Sequence, residues 1–136
     1  VTISPDGRRW EPAVPTDIPD SPSLTTSVKL DNGRVLLVGN QMAPAFDNPD
    51  QVTHYDRDPL MVSVSPDGYR FERAFALRCG RQTWRVPQRE VRGRGGGAQY
   101  PSAVVHQDAL YVQYTMGKED VWVSSVALSA LAGEKR

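Results

Sequence analysis

The chain has 136 residues, 39% of them hydrophobic and 24% charged, with a formal net charge of zero. That is enough for one ordinary domain, and it excludes a global electrostatic pull toward nucleic acid or an anionic membrane. Eleven glycines and eleven prolines favour a turn-rich all-β chain over a helical one, and a single cysteine, Cys79, excludes a disulfide within the chain.

Residues 1–4 (Val-Thr-Ile-Ser) are strand-like and carry no signal-peptide pattern. They suggest a strand that begins upstream. Ser4-Pro5-Asp6-Gly7-Arg8-Arg9-Trp10 follows as a turn, and residues 10–14 are expected to return as a strand. Residues 17–23 are a proline-rich connection. Residues 24–30 and 34–38 read as strands around Asp31-Asn32-Gly33, a hairpin signal because Asn-Gly tolerates positive φ. Residues 41–56 are a polar excursion.

Residues 60–65 and 71–77 are the next strands, and they flank Ser65-Pro66-Asp67-Gly68-Tyr69-Arg70-Phe71. This segment repeats the first turn in the pattern S-P-D-G-x-R-aromatic. Asp and Ser oxygens accept turn N–H groups, Gly supplies φ freedom and the aromatic packs on a sheet. Ser4, Asp6, Gly7, Trp10, Ser65, Asp67, Gly68 and Phe71 are therefore structural residues.

Residues 78–99 form a long connection with six arginines (Arg78, Arg81, Arg85, Arg89, Arg92, Arg94) and one acid, Glu90. Connections of that length are usually functional or disordered. Gly93-Arg94-Gly95-Gly96-Gly97 lacks the Lys-Ser/Thr ending of a phosphate-binding loop. Residues 100–105, 109–114 and 121–127 are three further strands. Leu110, Val112 and Tyr114 alternate with Tyr111, Gln113 and Thr115, as in a half-buried strand. Residues 128–136 are expected to be a polar tail, with no amphipathic helix anywhere. No apolar run reaches membrane-spanning length, and no Cys/His spacing suggests a metal or other cofactor.

A repeat at this scale implies stacked units. The strands group into the end of one unit (1–15), a complete four-stranded unit (24–77) and a unit lacking its fourth strand (100–127). That is about two and a quarter blades of a β-propeller, an all-β fold of four-stranded blades around a channel. Unpaired edges and an open core would make such a fragment associate with further blades or with itself.

The two turns resemble Asp-boxes (BNR repeats), in a form one residue shorter than the commonest one. Residues 30–37 are similar to the L-x-D-G-R-x-L-L hairpin of sialidase-like propellers. Arg57-Asp58-Pro59-Leu60 resembles the strand that carries a carboxylate-binding arginine, and residues 99–102, 110–114 and 118–121 resemble the last blade. The chain thus resembles the C-terminal portion of the exo-α-sialidase-like bacterial proteins, whose propellers have six blades.

The resemblance implies a glycan or oligosaccharide partner, glycoside hydrolysis without a cofactor or metal, and a secreted or periplasmic location. It makes Tyr100 the match to the catalytic nucleophile. A phenol titrating near 10 needs a neighbouring base, and a neutral phenol avoids repulsion by a sugar carboxylate. Arg57 matches one carboxylate-binding arginine, for which bidentate pairing is the physical reason. Asn40 stands where another such arginine is found, Leu24 where the activating Glu is found, and Thr115 where many members carry a Glu. The turn residue Glu119, the loop residue Arg78 and Trp84, which offers a ring for sugar stacking, complete the substrate-binding candidates. His54 and His106 are the only histidines and lack an evident partner. Two alternatives to hydrolysis stay open: a non-catalytic glycan-binding propeller, and a lyase in which Tyr100 takes a proton and arginine neutralises a uronate.

Overall fold

The structure is a computed structural model that describes residues 2, 4–19, 23–41, 57–83, 85 and 97–132. It is all-β with one short helix, and its two antiparallel sheets form part of a β-propeller. The first sheet runs β1 (Thr26–Lys29), β2 (Val35–Gly39), β3 (Leu60–Ser65) and β4 (Arg73–Arg78), side by side in chain order. The second runs β5 (Ala98–His106), β6 (Ala109–Met116) and β7 (Asp120–Ala127). Strands β1 and β2 pack on β5, so β4 and β7 are the outer strands.

The alternation of apolar side chains decides what is buried. Leu36 and Val38 of β2, Leu60, Val62 and Val64 of β3, and Leu110, Val112, Tyr114 and Met116 of β6 form one core between the sheets. Period-two alternation sends their neighbours outward. Tyr111 and Gln113 are exposed accordingly. The other face of β3 is also covered, and there Ser63 donates to Gln41 Oε1 at 3.1 Å. Tyr114 is buried with its hydroxyl 2.8 Å from Ser124 Oγ.

The turns follow their residues. Gly33 (φ 84°) helps close the five-residue loop between β1 and β2. Gln107 and Asp108, both at positive φ, make the two-residue turn between β5 and β6 that suits the twist of a hairpin.

Two expectations are corrected. Residues 10–14 are described and exposed, and they form no strand. The expected tail begins with a helix, α1 (Leu128–Ala132). Leu128 and Leu131 lie three apart on one helix face, Leu131 reaches the core, and Leu128 N donates to Asp108 O at 2.8 Å. Arg73 donates to Ala132 O, which also ties the helix to β4. None of the described helices is long and apolar enough to cross a membrane.

Antiparallel order sorts the connections between two ends. One end carries the β1–β2 loop, the repeat turn between β3 and β4, the β5–β6 turn and α1. The other carries the close of β2, the entries to β3, β5 and β7, and the close of β4.

Candidate functional site

Tyr100 lies at this second end, in the first turn of residues of β5. The β5–β6 register slips there: Gln99 faces Thr115 and Ser102 faces Gln113, so Tyr100 and Pro101 together oppose Tyr114. Such a bulge re-aims a side chain. Tyr100 takes φ 53°, a left-handed conformation unusual for a bulky non-glycine residue. Its neighbours hold it there. Ala98, Gln99 and Pro101 are buried, and Thr115 donates to Gln99 O at 3.3 Å. The Tyr100 side chain is 44% exposed between these buried residues.

Arg57 reaches the same place. A Cβ on Gly97 would collide with the Arg57 backbone, so only glycine lets the two segments cross. Gly117 N donates to Gly97 O at 3.1 Å and adds the β6–β7 turn to the crossing. Arg57 is half-buried, and its Nη1 is enclosed without a hydrogen-bond partner among the described residues. The neighbouring Asp58 accepts from Gly80 N at 2.9 Å.

Asn40, one of the substrate-binding candidates, lies inside the fold. It is fully buried, its Nδ2 donates to Pro59 O at 3.0 Å and to Ala98 O at 3.2 Å, and its Oδ1 accepts from Ser23 at 3.2 Å. Both carbonyls belong to segments entering strands, one in each sheet. Asn40 is a tie between sheets with no polar edge left for a ligand. Leu24 is 56% exposed and brings no base.

Glu119 is another of those candidates. Its carboxylate is only 5% exposed and accepts from Arg85 N at 3.0 and 3.2 Å, with Arg85 Nε 3.6 Å away. Arg85 also pairs with Asp120 at 2.5 Å, and Gln82 Nε2 donates to Asp120 at 2.8 Å. The Gln82 bond and the Arg85 charge hold the Asp120 carboxyl below its ordinary range. Glu119 and Asp120 therefore fasten the connection after β4 to the β6–β7 turn. Arg78 ends the outer strand β4, with its guanidinium 4.8 Å from the ring centroid of Trp122 on the outer strand β7. Its Nε is enclosed without a hydrogen-bond partner among the described residues. Trp84 and His54 lie outside the described residues. His106 is exposed at the opposite end.

In the sequence Lys118 stands at a turn beside Glu119, within the stretch 118–121 that resembles the last blade. The structure sets its Nζ 5.2 Å from the centroid of the Tyr100 ring. The available signal was Gly117-Lys118 between two strands. In that turn Gly117 (φ 57°) and Lys118 (φ 63°) are both left-handed, and Glu119 N donates to Met116 O at 3.0 Å.

The second repeat turn lies at the far end. Asp67 Oδ1 accepts from Tyr69 N at 2.8 Å and Arg70 N at 2.9 Å, and Ser65 Oγ accepts from Gly68 N at 2.7 Å. Asp6 accepts from Arg8 N at 2.8 Å and Arg9 N at 2.9 Å in the same way. The Arg70 and Tyr69 amides lower the Asp67 pKa, and the Arg9 and Arg8 amides lower that of Asp6. No group of three or more His, Cys, Asp or Glu able to hold a metal is present among the described residues.

Residues 1–112 match the family model described as a BNR repeat-like domain. That stretch includes Arg57 and Tyr100 and ends inside β6. No curated protein and no solved structure matches the chain.

Proposed function

We propose, for a chain that belongs to the BNR repeat-like family within the sialidase-like BNR superfamily, a carbohydrate-active role centred on Tyr100 and Arg57. The activity is glycoside hydrolysis, with Tyr100 as nucleophile and Arg57 as the group that receives an anionic part of the glycan. One observation carries this reading: a tyrosine held exposed in a left-handed bulge, at the end of the fold where Arg57 keeps an unpartnered guanidinium nitrogen. Strained non-glycine backbone persists where surrounding structure over-determines it, and such sites are enriched in function. An enclosed, unpaired guanidinium N–H favours a carboxylate or similar acceptor. The second repeat turn, as an Asp-box, is a folding device at the other end.

Non-catalytic glycan binding is the second reading. Leu24 favours it, because an exposed leucine supplies no base to the phenol. The exposed face of Val104, Tyr111, Val121 and Val123 on the second sheet is where we expect a further blade to stack, or a second copy when no blade is present.

The test assays the chain on carboxylated and neutral aryl glycosides and on a glycan array. Hydrolysis lost in Tyr100→Phe and weakened in Arg57→Lys supports the first reading. Array binding without turnover supports the second. An unsaturated, ultraviolet-absorbing product would mark a lyase, and neither binding nor turnover would remove the glycan reading altogether.

A further inference from the structure

Four described non-glycine residues have left-handed backbone: Tyr100, Gln107, Asp108 and Lys118. Gln107 and Asp108 belong to the β5–β6 hairpin turn and do no more than close it. Tyr100 and Lys118 lie in different segments, and their side chains meet. Lys118 occupies the second central position of a turn whose positive φ favours Gly, Asn or Asp. A lysine there carries a conformational cost that the turn itself does not require. Its cation also lacks a carboxylate: among the described residues Lys118 makes no ion pair. The adjacent acids are spoken for, since Glu119 and Asp120 both engage Arg85. The half-buried ammonium is left facing the Tyr100 ring.

From this juxtaposition we infer that Lys118 is the positioning residue of Tyr100, holding the ring by its face and stabilising the phenolate electrostatically. The proposal rests on Tyr100 being the reacting group. It answers the question that Leu24 raises, because a cation beside a phenol favours ionisation without accepting its proton. The proton leaves to water, and the resulting phenolate is the nucleophile. Lys118 lies beyond the stretch matched by the family, so the assignment is drawn from geometry alone.

Among the described residues, the other charged or titratable groups around the start of β5 have other engagements or the same sign. Arg57, whose backbone crosses at Gly97, is itself a cation. Glu119 is turned to the Arg85 amide. Tyr114, across the bulge, spends its hydroxyl on Ser124. Of the strands β1 and β2 that also pack on β5, only β1 brings a charge, Lys29, and it lies at the opposite end.

The test titrates tyrosine ionisation by ultraviolet difference absorbance in the full chain, with Tyr100→Phe subtracted to isolate Tyr100. Lys118→Gln should reduce the Tyr100 phenolate population at a pH of about 8 roughly tenfold, and Lys118→Arg should restore most of it. Because no substrate is involved, this readout is independent of whether the chain hydrolyses or only binds a glycan. An unchanged titration in Lys118→Gln would overturn the inference. So would a loss in Lys118→Gln that Lys118→Arg leaves unrepaired, since that pattern reports shape and not charge. If the titration behaves as expected while glycoside turnover is absent, the inference stands and the hydrolase reading fails.

Discussion

The two ends of the paired sheets are built to different rules. At the end that carries the second repeat turn, backbone amides meet purpose-placed acceptors: Ser65 and Asp67 take four of them, and Gly68 supplies the positive φ. At the other end a tyrosine takes the positive φ, and two enclosed guanidinium nitrogens, Arg57 Nη1 and Arg78 Nε, have no hydrogen-bond partner among the described residues. Satisfied polar groups stabilise, whereas enclosed unsatisfied ones cost free energy. The difference marks the first end as a stabilising element and the second as the end on which the proposed glycan chemistry rests.

The largest effect expected tests the exception at the second end, Asn40, whose bonds are complete. Asn40→Ala strips two carbonyls of their donor and should cost about 2–3 kcal/mol in denaturant unfolding. A loss below half of that would mean the sheets are joined by their apolar core alone. Next comes the repeat turn. Ser65→Ala should cost about 1–2 kcal/mol, because Ser65 is fully buried and its oxygen serves the turn. Ser4→Ala, in the copy whose Trp10 is 62% exposed, should move the same midpoint much less. Equal losses would show that the first copy is as well anchored as the second.

Tyr100→Gly should run the other way. Relieving the left-handed strain should stabilise the chain by roughly 1 kcal/mol, offset in part by lost contact with Lys118, while removing glycan activity. A destabilised Tyr100→Gly chain would place Tyr100 among the folding residues. The smallest effect concerns acid. Asp67 and Asp6 titrate below their ordinary value because they accept backbone amides. Their contribution is therefore complete above the unfolded-state aspartate value of about 4 and is lost as pH falls through the lower folded value. Asp67→Asn should flatten the acid side of the stability profile, measured by circular dichroism from neutral to acid pH.

Much of the framework is legible in the sequence. The alternation of Leu110, Val112 and Tyr114 finds its strand, and Asp31-Asn32-Gly33 finds its turn, because each signal is local. The strand expected at 10–14 fails for the same reason: local pattern does not supply a pairing partner. The helix at Leu128–Ala132 is missed because five residues are too few for periodicity to speak, and Leu131 is recruited by a core that the sequence does not display. Asn40 and Glu119 have the right chemistry for a ligand, but whether a polar side chain serves solvent or its own fold depends on what surrounds it.

The sequence by itself determined the all-β class, the repeat, and the turn chemistry that makes Asp67 and Gly68 a structural pair, since these depend on neighbours within a few residues. Only the tertiary structure decided which polar residues remain available. It engages Asn40 with carbonyls, and Glu119 with an amide, from distant segments. It sets Lys118 beside the Tyr100 ring, because the bulge at Tyr100 and the crossing at Gly97 carry three stretches of chain to one point.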